Sequence, residues 1–164
     1  MKKLWMIILI TVVLTACGTA SGNSMPEAMP EDFNFSVKFG VSSKNQVNTY
    51  TDTITKDLIA NGTATADLTL TDEEMQDIYK KMREINIMEE KDLIPDTNCG
   101  QEPHTDDSWK ITIKGETITH EWTESYCELT DDARKLYDLR QEIWQLVRSK
   151  DEYKQLPKAE GGYS

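Results

Sequence analysis

Cysteine, histidine and clustered carboxylates are the side chains in this chain with chemistry beyond packing. Cys99 and Cys127 border a stretch patterned as a hairpin. Paired cysteines in an oxidising compartment more often form a structural disulfide than a reactive site; the alternative is two free buried thiols. Such a bridge closes a long loop and contributes about 3–4 kcal/mol in the chain-entropy estimate. No Cys-x-x-Cys spacing is present, which argues against thiol exchange chemistry.

His104 lies among Asp96, Glu102, Asp106 and Asp107. A carboxylate-rich loop with one imidazole can hold a hard or borderline cation. The Asp-x-Asp-x-Asp-Gly spacing of a calcium loop is missing, and simple solvation of the acids is the plainer reading. His104, Asp106 and Asp107, with Trp109 as an apolar contact at their edge, are the candidate residues for a ligand or partner site, because preorganised polar groups lose little entropy on binding. His120 alternates with Ile118 and Trp122, which marks a strand histidine packed beside aromatics before it marks a base.

The motifs of common enzymes are missing. There is no Gly-x-Ser-x-Gly, no Ser-x-x-Lys with its partner motifs, no phosphate-binding glycine loop and no His-Glu-x-x-His, so acyl transfer, nucleotide chemistry and metalloprotease activity lack their parts. Glu73-Glu74 and Asp131-Asp132 stand where helices are expected to start, and the helix dipole accounts for them without a glycosidase pair. The sequence assigns no catalytic residue, no cofactor and no metal site.

The elements that must position these residues follow from periodicity. Phe33, Phe35, Val37, Phe39 and Val41 alternate with smaller or polar residues, as a strand with one buried face requires. Residues 42–45 read as a turn, and the Thr-, Tyr- and Ile-rich residues 47–59 as one long irregular strand. Asn61-Gly62 is a hairpin signal, and Ala64, Ala66, Leu68 and Leu70 alternate beyond it. Thr71-Asp72-Glu73-Glu74 forms a capping box ahead of Met75, Ile78, Tyr79, Met82 and Ile85 at helical spacing, predicting a helix of about fifteen residues. Residues 89–107 have no period and read as a long loop. Trp109, Ile111 and Ile113 alternate into a turn at Gly115, and Ile118, His120 and Trp122 alternate out of it. Thr130 caps a second helix with Leu136, Leu139, Ile143, Trp144 and Val147 on its apolar stripe. The expected fold is α+β: an antiparallel sheet of about five strands, in the order β-β-β-α-β-β-α, covered on one face by two helices. Leu70-Thr71-Asp72 and Leu129-Thr130-Asp131 echo each other; shared capping chemistry explains this as well as a duplication does.

The first seventeen residues address the chain. Lys2 and Lys3 precede an apolar run over residues 4–14, the length of a signal-peptide core and short for a bilayer span. It ends in Leu14-Thr15-Ala16-Cys17, which resembles the lipobox of bacterial lipoproteins. In size and leader the chain resembles small lipoproteins of Bacillus-type bacteria. The resemblance implies cleavage before Cys17, lipidation of its thiol and an anchor at the outer face of the cytoplasmic membrane, and it carries no functional residues of the folded part. Stable attachment needs more than one acyl chain, as lipoprotein anchors supply.

The chain carries 18 Lys and Arg against 29 Asp and Glu, a formal charge of −11, and loss of Lys2 and Lys3 takes it to −13. Such a body is repelled by phosphate polymers and anionic headgroups, so nucleic acid is excluded as a partner and the lipid supplies the membrane attachment. The expected organisation is a signal peptide over residues 1–16, a lipidated flexible tether over 17–31, one domain over 32–157 and a flexible tail over 158–164. The leading functional reading is a non-catalytic, membrane-tethered domain that binds an envelope protein or small ligand. The alternative is a metal- or solute-capturing lipoprotein that uses the acidic loop 96–107, with a hydrolase third. The sequence does not specify an oligomeric state.

Overall fold

The structure, a computed structural model, describes residues 25–164; the leader, the lipobox and Cys17 lie outside the described residues. Phe35, Val37 and Phe39 point to one side of β1 (Asn34–Phe39), and that side is the floor of the core. β1 pairs with β2 (Asn45–Asn48), which pairs with β3 (Thr53–Asp57), which pairs with β4 (Thr63–Asp67). On its other side β1 pairs with β5 (Asp106–Ile113), and β5 with β6 (Glu116–Thr123). All pairs are antiparallel, and the sheet order is β4-β3-β2-β1-β5-β6.

The fold is the expected α+β arrangement, with six strands where the periodicity predicts about five. Residues 47–59 form two strands, because the chain turns at residues 49–52. Asn48 Oδ1 accepts from Tyr50 N at 3.0 Å, and Asp52 takes a φ of 49°. No glycine or proline marks this turn, and its Thr and Tyr residues carry the same β preference as the strands beside it.

Two helices cover the apolar face. α1 (Asp72–Glu84) begins with the capping box: Thr71 Oγ1 accepts from Glu74 N at 3.3 Å, and Glu74 Oε2 from Thr71 N at 2.9 Å. α2 (Asp131–Ser149) is capped by Thr130, whose hydroxyl accepts from Ala133 N at 3.1 Å. A short α3 (Asp151–Gln155) follows, beyond the two helices that the periodicity predicts. Met82, Leu136, Ile143 and Val147 are buried in one cluster with Phe35, Val37, Val47, Ile54, Trp109 and Ile111; each side chain of this size removed from water stabilises by about 1.5–3 kcal/mol. The opposite face of the sheet carries hydroxyl and amide side chains, with Thr112 and Thr117 paired at 2.8 Å and Thr55 and Thr65 at 3.0 Å.

Both ends of the domain lie beyond the expected boundaries. Met25 is buried in the core cluster, and Tyr79 Oη donates to Pro26 O at 2.8 Å, so residues 25–31 belong to the domain and not to a tether. Residues 158–164 dock as well. Ile59 bridges Glu160 in parallel, and Tyr163 Oη donates to Asp57 Oδ2 at 2.6 Å. Among the described residues no helix is long and apolar enough to cross a membrane.

Candidate functional site

The β5–β6 hairpin is fixed at both ends. At its turn Lys114 and Gly115 adopt φ of 51° and 77°, the left-handed pair that suits a two-residue hairpin. Asp32 locks that turn by accepting from Lys114 N at 2.9 Å and Gly115 N at 2.6 Å. At the open end Asp106 pairs with Thr123 and Asp107 with Trp122, and the long loop returns to this end. Gln101 N donates to Ser125 O at 2.7 Å, Gln101 Nε2 to Glu124 O at 2.7 Å, and Glu124 N to Thr105 O at 2.8 Å. Cys99 and Cys127 form the expected disulfide, with Cα atoms 5.5 Å apart. Residues 99–105 and 124–127 therefore make one stapled flap.

A cleft of about 440 Å³ opens beside this flap. Asp106, Asp107 and Glu121 border it together with Ser43, Ser108 and Thr123, while Leu93, Ile94, Trp122 and Tyr126 supply an apolar wall. Ile94 is 73% exposed. No lysine or arginine borders the cleft.

Successive strand residues point to opposite faces, so Asp106 and Asp107 have different surroundings. Asp106 is part-exposed beside His104, its Oδ1 lying 3.6 Å from Nε2. The His104 Nδ1 edge instead lies 2.9 Å from Glu102 Oε2. Because the two carboxylates sit on opposite edges of the ring, they offer a cation no common point with the imidazole. Among the described residues no three His, Cys, Asp or Glu side chains gather as a metal site requires.

Asp107 turns inward and is buried, as is Arg140 on α2. Arg140 Nε stands 2.8 Å from Asp107 Oδ2, and its Nη2 donates to Glu124 Oε1 at 2.8 Å. The guanidinium lies 4.6 Å from the Tyr137 ring centroid and 5.2 Å from that of Phe39, within cation–π range of both. The Nε–H is not aligned on Asp107, which leaves both carboxylate oxygens buried without a hydrogen-bond donor. Burial pushes the Asp107 carboxyl up to about 7; the charge of Arg140 pulls against this, and Glu124 and Asp106 add to it. Two carboxylates thus share one buried cation.

Of the four residues expected at a site, the structure brings His104 and Asp106 together on the surface. It sends Asp107 into the ion cluster and seals Trp109 in the core. The expectation that Trp109 offers an edge contact is corrected, because its side chain points to the helix-covered face of β5; Ile94, Leu93 and Tyr126 supply the accessible apolar side instead, and Trp122, which also borders the cleft, is buried. Asp106 and Asp107 also begin a strand where a loop was expected. Arg140, Glu124 and Glu121 were not anticipated. Arg140 had a signal in the sequence, since it falls in register with Leu136, Ile143 and Val147 on the apolar stripe of α2, and a charge there requires a buried partner.

His120 is a core histidine. Its Nε2–H donates to Ile87 O at 2.6 Å, and burial holds the ring below its usual pKa, hence neutral. No protein-family model matches this chain, and no curated protein matches it.

Proposed function

We propose that this chain is a lipid-anchored, extracytoplasmic binding domain that captures its partner in the cleft beside the flap. The observation that carries the reading is the combination of exposed Ile94 beside half-buried Leu93 and Tyr126, an acidic rim and a hairpin fixed at both ends. An acidic and aromatic cleft without a basic side chain suits a basic or hydrogen-bond-donating group on an apolar stem, such as a lysine or arginine side chain of an envelope protein. The cleft serines are engaged: Ser43 Oγ donates to Asp106 O at 3.1 Å, and Ser108 Oγ to Glu121 Oε1 at 3.3 Å. Neither is paired with an imidazole, as a nucleophile would be.

The leader and lipobox place the domain at the outer face of the cytoplasmic membrane in this reading. With Met25 already in the fold, only residues 18–24 separate Cys17 from the domain. Even a fully extended chain spans at most about 3.6 Å per residue, so the domain stays close to the bilayer.

Two measurements test the proposal. Mass spectrometry of the native protein should find an acylated Cys17 as the N-terminus, and an unmodified cysteine defeats the location. A photo-crosslinking residue at position 94 should trap a partner in intact cells, while one at position 55 on the polar sheet face should not; equal yields at both defeat the cleft.

A further inference from the structure

The ion cluster behind the cleft holds more negative than positive charge. Asp107, Glu124 and Arg140 converge at 2.8 Å contacts, with Asp106 adjacent on the same strand, and among the described residues no lysine or second arginine pairs with Asp107 or Glu124. A buried carboxylate without hydrogen-bond donors is strongly disfavoured in its ionised form. The imbalance has two resolutions, and they differ in geometry. A proton on Asp107 leaves Arg140 paired one-to-one with Glu124. Without that proton, the surplus charge is relieved by sending one carboxylate to water.

Only Glu124 has that route. Its side chain is 23% exposed, whereas that of Asp107 is 0% exposed. Glu124 is also the residue through which the flap is held, since its N–H donates to Thr105 O and its carbonyl accepts from Gln101 Nε2. The Cys99–Cys127 bridge ties the far ends of the two flap segments to each other, so the bonds of Glu124 and Gln101 between the segments can open while the segments stay joined. Tyr126 on the Glu124 segment borders the cleft.

We propose that the Asp107–Arg140–Glu124 cluster is a proton-controlled latch: protonated Asp107 leaves Arg140 to hold Glu124 and the flap shut, and ionised Asp107 competes for Arg140 and frees the flap beside the cleft. The groups facing Asp107 are Arg140 from α2, Glu124 from the segment after β6 and Asp106 from its own strand. The carboxyl titrates near neutrality, at about 7, so the latch responds over a physiological range. The latch depends on the cleft reading only for what the flap gates.

Hydrogen exchange of the full chain in neutral detergent, expressed as protection factors to remove the intrinsic pH dependence, tests this without any ligand. Protection of the Gln101 and Glu124 amides should fall at least tenfold between pH 5.5 and pH 8.5, while α1 amides stay constant. Asp107→Asn, which mimics the protonated carboxyl, should keep the flap protected at both pH values. Should that variant not fold, Glu124→Gln supplies the same test, because it leaves Asp107 and Arg140 balanced and should remove the pH dependence. A flap whose protection does not change with pH in the wild type, or changes equally in the variant that folds, overturns the latch. Either result leaves the crosslinking test of the cleft untouched.

Discussion

Arg140 Nε stands 2.8 Å from Asp107 Oδ2 in a region where neither side chain reaches bulk water. The pair joins the first strand residues after the long loop to the middle of α2. Attraction between the two charges is set against the desolvation of both, and in buried pairs the second is often the larger. Asp107 displays that balance directly, since burial outweighs Arg140 in setting its pKa.

Stability should therefore depend on pH through Asp107, with a definite sign. Its folded pKa of about 7 lies above the ordinary 3.8, so between these values the folded state binds a proton that the unfolded state does not. The stabilising contribution is complete below the ordinary value and is lost as pH rises through about 7. At about 1.4 kcal/mol per pH interval, the loss is on the order of 4 kcal/mol. Thermal unfolding of Asp107→Asn beside the wild type should show the variant gaining relative stability from pH 4 to pH 7 and a constant difference above. A relative loss over that range contradicts the assignment.

Removing the cation should do more harm than removing both partners. Arg140→Met leaves Asp107 and Glu124 facing each other and should destabilise by about 3–5 kcal/mol at pH 7. Adding Asp107→Leu should recover a large part of this, since Glu124 can still turn to water. Chemical denaturation of the two single variants and the double variant measures the coupling, and additive effects would show that the charges are independent.

His120 should give the opposite pH slope. Burial lowers its pKa, so its contribution is complete above about 6.5 and is lost as pH falls through the lower folded value. Ring nitrogen chemical shifts should show a neutral Nε2–H imidazole at pH 6.5, as the bond to Ile87 O requires. An imidazolium signal at that pH contradicts it.

The fold was legible where one property repeated with one period. Phe35, Val37 and Phe39 announced β1, and Thr71 with Glu74 announced α1. The turn at residues 49–52 was hidden because Thr49, Tyr50 and Thr51 prefer strands and the turn is built from side-chain hydrogen bonds. The ends carry no period for a related reason: Met25 and Met29 at one end and Glu160 and Tyr163 at the other are isolated anchors in polar segments, spaced as neither a strand nor a helix would space them. At the site, the sequence drew attention to the loop acids but could not say which way Asp107 faces. One position of strand register separates its buried state from the surface state of Asp106.

The final prediction concerns the disulfide that holds the flap together. Cys99 and Cys127 are 28 residues apart and both exposed, so a reductant reaches them without unfolding the domain. Removing a cross-link of this span should lower stability by about 3–4 kcal/mol in the chain-entropy estimate. The core cluster includes neither cysteine, and the flap keeps its backbone bonds, including Cys127 N to Cys99 O at 3.4 Å. Reduction should therefore lower the unfolding temperature while leaving near-ultraviolet dichroism from Trp109 and Trp122 in place. The double variant Cys99→Ser/Cys127→Ser should behave as the reduced protein does. Alkylation of both thiols without prior reduction would show that the bridge is absent. An unfolding temperature unchanged by reduction would show that it constrains nothing.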